Sequence, residues 1–407
     1  MIRFDDYVPL VGEAVTDELR LLADRLHGTT VCHINSTPVG GGVAEILTRM
    51  VPLLNQLGVP TDWQVIKGGD RFYAATKKFH NALHGVSQEI TDDDFAVYRS
   101  TQEDNLAQLN LDSDIVFVHD PQPAGLVARK AALGNRWIWR CHIDLSNPDP
   151  RVWTFLAPLV EQYDATVFSA PSFARRLGVR QVLIAPSIDP LSDKNRELPP
   201  ETIDAVLTRL EIPRDKPLIT QVSRFDRLKD PIGVIEAFRL ARAYVDARLL
   251  LVGGSADDDP EGKQVLAEVR ERVAGADDVL VLELPPTSHV EINAIQRAST
   301  VVLQKSLKEG FGLTVSEALW KGKPVIAGAV GGIPLQISHR HTGILTHSVE
   351  GTAYWIKQLL NEPDYARRLG ENGREHVREH FLLTRHLRDY LLLFLSLRHP
   401  GKDIVYL

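Results

Sequence analysis

The feature that most constrains this chain is an alternation that stops and then starts again. Short apolar runs recur, each followed by a polar or Pro/Gly loop and most then by a helical stretch. The first set is Thr29 to Ile34, Trp63 to Ile66, Ile115 to His119, Ile138 to Ile143 and Ala165 to Phe168. Around Ile184-Ala-Pro-Ser-Ile-Asp-Pro190 the pattern pauses, and a polar, proline-containing segment runs to about residue 216. It resumes with Leu218 to Val222, Arg248 to Val252, Val279 to Leu282, Val301 to Gln304 and Val325 to Ala327. Strands separated by helices form parallel βαβ units, because a parallel neighbour is reached only through a crossover and the helix supplies it. Two such runs predict an α/β protein of two doubly wound, Rossmann-like domains facing a central cleft, with ligands outside the strand carboxyl ends. The expected limits are 1–188 for the first domain, 189–380 for the second, and 381–407 for a C-terminal helix that packs back on the first.

Bulk properties agree with that division and narrow the partners. The 407 residues suffice for two cores of about 200 residues each. The net charge of -7 disfavours nucleic acid and anionic membrane as partners, leaving only local basic pockets. No apolar run approaches the roughly 18 residues of a membrane helix, and Met1-Ile-Arg-Phe-Asp-Asp6 lacks signal-peptide character, so the expected compartment is the cytoplasm. Two cysteines make no disulfide framework. Each precedes a histidine at a predicted strand end (Cys32-His33, Cys141-His142), but without the local spacing of a zinc site; the thiols read as small buried hydrophobes and no metal site is expected.

Chemistry concentrates in Glu309-Gly-Phe-Gly-Leu-Thr-Val-Ser-Glu317. It follows an apolar strand and leads into a predicted helix from Ser316 to Lys321, so Gly310, Phe311, Gly312, Leu313 and Thr314 form a strand-to-helix turn. Such a turn points unpaired amides and the positive helix end at whatever sits above it, which suits a diphosphate. Glu309 and Glu317 would then reach hydroxyls at its two ends, a sugar and a ribose. Taken alone, the two acids are equally those of an ordinary helix start. A second glycine loop, Ala329-Val-Gly-Gly-Ile333, ends the next strand. Arg224 and Lys229 follow another strand directly, and a planar fork beside a point charge complements a departing diphosphate.

The first domain has its own candidates. His33-Ile-Asn-Ser-Thr-Pro-Val-Gly40-Gly41-Gly42 joins strand to helix through glycines that let a ligand approach the backbone. The run lacks both GxGxxG spacing and the lysine of a phosphate-binding GKS/T loop, which disfavours nicotinamide binding and a Walker-type NTPase. His119-Asp120 and Arg140-Cys-His142-Ile-Asp144 close neighbouring strands. His142, Asp120 and Asp144 offer donors and acceptors suited to sugar hydroxyls, whereas His33 reads as a buried strand residue. The acidic run Asp257-Asp-Asp259 reads as a solvated turn rather than a metal site.

Arg224 with Lys229, followed by Glu309-x7-Glu317, resembles the signature of retaining glycosyltransferases of family 4, whose two-domain fold is called GT-B. More narrowly, His33-Ile-Asn-Ser-Thr with Gly40-Gly-Gly-Val-Ala-Glu45, Phe79-His-Asn-Ala-Leu83, Val118-His-Asp-Pro-Gln-Pro123, Trp139-Arg-Cys-His-Ile-Asp-Leu145 and Pro186-Ser-Ile-Asp-Pro190 resemble the trehalose glycosyltransferring synthases. The resemblance covers nearly the whole chain. It implies a hexosyltransferase making α,α-trehalose from ADP-, UDP- or GDP-glucose and free glucose, reversibly in some members. It further implies that Arg224 and Lys229 hold the diphosphate, Glu309 and His142 the transferred sugar, and Glu317 the ribose. No cofactor is obligatory, Mg2+ would at most accompany the nucleotide, and a homodimer is expected. Trp320 departs from the small residue common at that place. Asp120, Asp144 and the loop of Gly40 to Gly42 remain candidates for the acceptor side. The alternatives are a retaining trehalose phosphorylase, a related transferase with another acceptor, and a nucleotide-sugar-binding regulator or epimerase.

Overall fold

The structure, a computed structural model, describes residues 2–39, 41–254 and 260–399. The chain divides into two compact units, one comprising the residues up to Ser187 with the segment from Leu383 onward, the other Ile188–Leu382.

The first unit holds strands β1 (Val31–Asn35), β2 (Thr61–Val65), β3 (Ile115–His119), β4 (Arg136–Cys141), β5 (Ala165–Phe168) and β6 (Arg180–Leu183). They form one six-stranded sheet in the order β2-β1-β3-β4-β5-β6, every pair parallel. The second unit holds β7 (Leu218–Val222), β8 (Arg248–Gly253), β9 (Val279–Glu283), β10 (Val301–Gln304), β11 (Val325–Gly328) and β12 (Ile344–Thr346). Its order is β12-β11-β10-β7-β8-β9, again all parallel.

The inner strands are buried along their whole length, as in β1, β3 and β7, because helices cover both faces of a parallel sheet. β6 and β12 were not foreseen. β6 is an edge strand with exposed Arg180 and Leu183, and β12 has three residues, so neither carries a continuous apolar run. In the second unit, Ile219, Leu249, Leu251, Val301, Leu303 and Ile326 of the sheet meet Val234, Ile235 and Phe238 of the helix Pro231–Arg242. A buried leucine in such a layer cut to alanine costs about 2–5 kcal/mol.

Three helix limits differ from expectation. The helix after the first glycine loop starts at Gly41, so Gly41 and Gly42 form its first turn rather than a free loop; Gly40 lies outside the described residues, as do Asp257, Asp258 and Asp259. The helix after Glu309 starts at Leu313, not Ser316, and ends at Trp320, which sets Glu317 one turn inside it. The tail is two helices, Pro363–His380 and Leu383–Arg398, interrupted at Phe381 and Leu382. The second belongs to the first unit and packs on the helix Glu13–Asp24, where Arg388 Nε donates to Glu18 at 2.7 Å. Among the described residues no helix is long and apolar enough to cross a membrane.

In each sheet the winding reverses beside its first strand, between β1 and β3 and between β7 and β10. Loops diverge there, which leaves space for a ligand over the carboxyl ends.

Candidate active site

At the second unit's reversal point, β10 lies between β7 and β11. The loop after β7 carries Lys229 on a single 3-10 turn, Arg227–Lys229, whose amide end is capped by Asp226. Lys229 Nζ donates to Glu309 Oε2 at 2.5 Å, with both side chains largely buried. Ser306 Oγ donates to the same oxygen at 3.1 Å and Gln304 Nε2 reaches it at 3.4 Å. Those three contacts all fall on Oε2 and leave the second carboxylate oxygen outside them. Gln304 in turn accepts at Oε1 from Thr314 Oγ1 at 2.9 Å. Gln221, on the adjacent strand, donates to the Lys229 carbonyl at 3.0 Å, so a pair of buried glutamines sets the positions of both charged residues.

The glycines do backbone work here. Gly312 adopts φ 83° as the residue before the helix Leu313–Trp320, a conformation that costs a side-chain-bearing residue about 1–2 kcal/mol. No side chain caps that helix, so its first amides keep their capacity for an anion. Gly331 and Gly332, in the second glycine loop, make room for backbone. A Cβ on Gly331 would collide with the Glu309 carbonyl, and one on Gly332 would sit 2.5 Å from the Gly310 carbonyl. They let the β11 loop lie directly on the Glu309 backbone. Phe311 is buried against Phe381 at a ring separation of 5.7 Å; its carbonyl accepts from Gln336 at 2.5 Å.

Glu317 is 2% exposed and its carboxylate lies 3.6 Å from Lys194 Nζ. Lys321, one turn on, donates to the Glu317 carbonyl and to Asn195 Oδ1, each at 3.0 Å. Burial pushes the Lys321 amine down to about 7, against the pull of the Glu317 charge. Arg224 stands apart: it is exposed, with Asp226 Oδ2 at 3.5 Å.

At the first unit's reversal point the residues are mostly uncharged. His142 follows β4 and is partly open, and its amide donates to Asp120 Oδ1 at 2.7 Å. Asp120 sits at φ 68°, and burial pushes its carboxyl up to about 7 despite the His142 amide and the Arg140 charge. Asp144 is buried, with Oδ1 accepting from the Ser146 amide at 2.8 Å. Both acids thus hold backbone turns.

Arg140 is fully buried, donating to His386 Nε2 at 3.1 Å, to the Tyr390 hydroxyl at 2.9 Å and to the Ile184 carbonyl at 3.0 Å. The helix Leu383–Arg398 supplies His386 and Tyr390, and the Ser187 hydroxyl meets His386 Nδ1 at 2.9 Å.

Of the predicted residues, the structure joins Lys229 to Glu309 and Asp120 to the His142 backbone. It gives Arg224 and Glu317 partners of their own. Sequence reasoning missed Gln221, Gln304, Ser306 and Lys194, which carry no motif, and Arg140, which lay inside a quoted run. For Gln221, Gln304, Ser306 and Arg140 the only signal was position, a polar residue near or just past the end of an apolar strand; Lys194, between β6 and β7, carried none.

Residues 33–175 match the model of the trehalose synthase N-terminal domain, and residues 204–376 that of glycosyl transferases group 1. Trehalose synthase of Rubrobacter xylanophilus is 43% identical over 404 residues, 96% of each chain. The chain belongs to the trehalose synthase family. Trehalose phosphorylase of Pleurotus pulmonarius is 29% identical over 92% of this chain but 58% of its own. An alpha,alpha-trehalose-phosphate synthase (UDP-forming) from Burkholderia xenovorans, solved in complex with glucose-6-phosphate, superposes with a TM-score of 0.72 at 15% identity, covering 90% of this chain and 99% of that one. As a trehalose synthase family member, the chain is a glycosyltransferase of GT-B fold.

Proposed function

We propose that the chain transfers glucose, with retention, from a nucleoside-diphosphate glucose to free glucose and so forms α,α-trehalose. The observation that carries this reading is the Lys229–Glu309 contact beside an uncapped helix start. A cation for the diphosphate and a carboxylate for sugar hydroxyls are thereby held one hydrogen bond apart.

In this reading Lys229, Arg224 and the first amides of the helix Leu313–Trp320 take the diphosphate. Glu309 keeps one oxygen for the Lys229 ammonium and turns the other to hydroxyls of the donor sugar. Glu317 reaches the ribose, and His142 meets the transferred sugar. The acceptor hydroxyl attacks the anomeric carbon on the face from which the diphosphate leaves. The bond to the leaving oxygen breaks as the new glycosidic bond forms, and the acceptor proton passes to a phosphate oxygen. No carboxylate serves as covalent nucleophile, unlike the facing pair of a retaining glycosidase. Lys229 and the amides stabilise charge that grows on the leaving group, at about 3 kcal/mol per well-placed donor.

The test incubates pure protein with labelled glucose and ADP-, UDP- or GDP-glucose in turn. Labelled non-reducing disaccharide, with release of the nucleoside diphosphate, is the expected product. If trehalose is instead cleaved by inorganic phosphate and no nucleotide sugar is consumed, the protein is a phosphorylase. Product only with glucose 6-phosphate reassigns the acceptor, and binding of nucleotide sugar without turnover in any mixture makes it a binding protein.

A further inference from the structure

Three imidazoles stand in single file from the middle of β1 to the carboxyl end of β3 and just past that of β4. His33 Nδ1 lies 2.9 Å from His119 Nε2, and His119 Nδ1 lies 3.3 Å from His142 Nε2. His33 and His119 are buried, and His142 is partly open. At the inner end of the file, His33 Nε2 is buried without a hydrogen-bond partner, on a ring flanked by Phe117 and Tyr390.

Counting protons decides what this file does. A neutral imidazole carries one N–H, so one nitrogen donates and the other accepts. Burial, reinforced by the Arg140 charge, keeps all three rings neutral, pushing His33 down to about 3 and His119 and His142 well below their usual range. Because His119 has a single proton, it donates to one neighbour and accepts from the other. Both hydrogen bonds therefore run in the same direction. If they run inward, the His33 proton sits on Nε2, where no acceptor exists, at a cost of about 1–3 kcal/mol. If they run outward, His33 Nε2 holds only a lone pair, which the positive field of Arg140 favours. Orphaned buried N–H groups are also the rarer defect. Outward polarity puts the His142 proton on Nδ1, the nitrogen outside the file.

We propose that His33 and His119 are positioning residues that fix the tautomer of His142, so that its Nδ1 is held as a hydrogen-bond donor to a hydroxyl oxygen of the transferred sugar. The sugar contact rests on the function proposed above; the tautomer does not. The file also gives His33 a task that its place in a buried strand conceals.

The experiment reads the His142 tautomer by 15N–1H correlation in histidine-labelled protein, alongside kcat. Wild type is expected to show Nδ1–H on His142. In His119→Phe that preference is lost and kcat falls about 10-fold, the equivalent of one misplaced hydrogen bond. His33→Phe fills the same stack and guards against a His119 variant that fails to fold. It exchanges the orphaned His33 Nε2 for an orphaned His119 Nε2, so Tm is expected to stay within a few degrees. The His142 Nδ1–H preference is lost and kcat drops several-fold, whereas a merely structural histidine would spare both the tautomer and kcat. Nε2–H on His142 in wild type, or an unchanged tautomer in both variants, overturns the proposal. His142→Phe with wild-type kcat would sink the sugar contact alone, because the tautomer measurement still decides the relay.

Discussion

The two units place their polar residues at the same topological position and fill it with opposite chemistry. Over β7, β10 and β11 the side chains are charged and paired: Lys229 with Glu309, Lys194 with Glu317, and Lys305 with Asp230. Over β1, β3 and β4 they are neutral imidazoles in a file, behind which one buried guanidinium is held by a histidine, a hydroxyl and a carbonyl. Charge groups suit a diphosphate, whose own charge makes strong contacts and grows as the bond breaks. Neutral donors and acceptors suit hydroxyls, which offer direction and no charge. The same fold position thus offers charge-assisted contacts in one unit and directional, uncharged ones in the other.

The sharpest way to break this comparison is Lys229→Ala. It should lower kcat by about 100-fold or more, the range for losing one well-placed donor to a developing oxyanion. It also leaves the Glu309 carboxylate with only Ser306 and Gln304, so Tm should fall by several degrees; wild-type turnover in the folded variant would remove Lys229 from the chemistry. Next in size, Glu317→Gln should raise KM for the nucleotide sugar about 10-fold, the factor for 1.4 kcal/mol, while kcat stays within about 2-fold and KM for glucose is unmoved. Equal changes in both KM values would dissolve the division between the units.

The third test uses pH and has opposite signs in the two units. The Asp120 carboxyl is raised from its usual value to about 7. Between about pH 4 and 7 the folded state therefore holds a proton that the unfolded state has lost, and stability falls as pH rises. The Lys321 amine is lowered to about 7. From about pH 7 to 10 the unfolded state holds the extra proton, so stability rises with pH. Asp120→Asn should flatten the acid-side slope of Tm and Lys321→Met the alkaline one; unchanged slopes would refute both assignments. The smallest expected effect is that of salt. Raising ionic strength toward 1 M shortens the screening length to about 3 Å and should raise KM for the nucleotide sugar a few-fold, with KM for glucose level. Parallel rises would mean that charge serves both sides.

Much of the fold was legible because burial on both faces of a parallel sheet leaves a mark. Ile115 to His119, Ala165 to Phe168, Leu218 to Val222 and Val301 to Gln304 stand in the structure at the limits read from sequence. The strands Arg180–Leu183 and Ile344–Thr346 left no such mark, the first because both its end residues are exposed and the second because it is only three residues long. The candidate site was legible as residue types at strand ends but not as partnerships. Lys229 and Glu309 are eighty residues apart, and the glutamines and serine that aim them belong to no recognisable spacing. His33 read as a core residue, and by burial it is one; its role follows from where His119 stands.

By itself the sequence determined the parallel α/β architecture, the division into two windings, the family, and the strand ends where chemistry would collect. Those properties are local or periodic, so a linear chain carries them openly. The tertiary structure alone decided which carboxylate meets which cation, that Gly331 and Gly332 let the β11 loop lie on the backbone of Glu309 and Gly310, and that three histidines far apart in the chain stand within hydrogen-bonding distance in one file. Each of these depends on distances of about 3 Å between residues far apart in the chain, and only the register of neighbouring strands sets such distances.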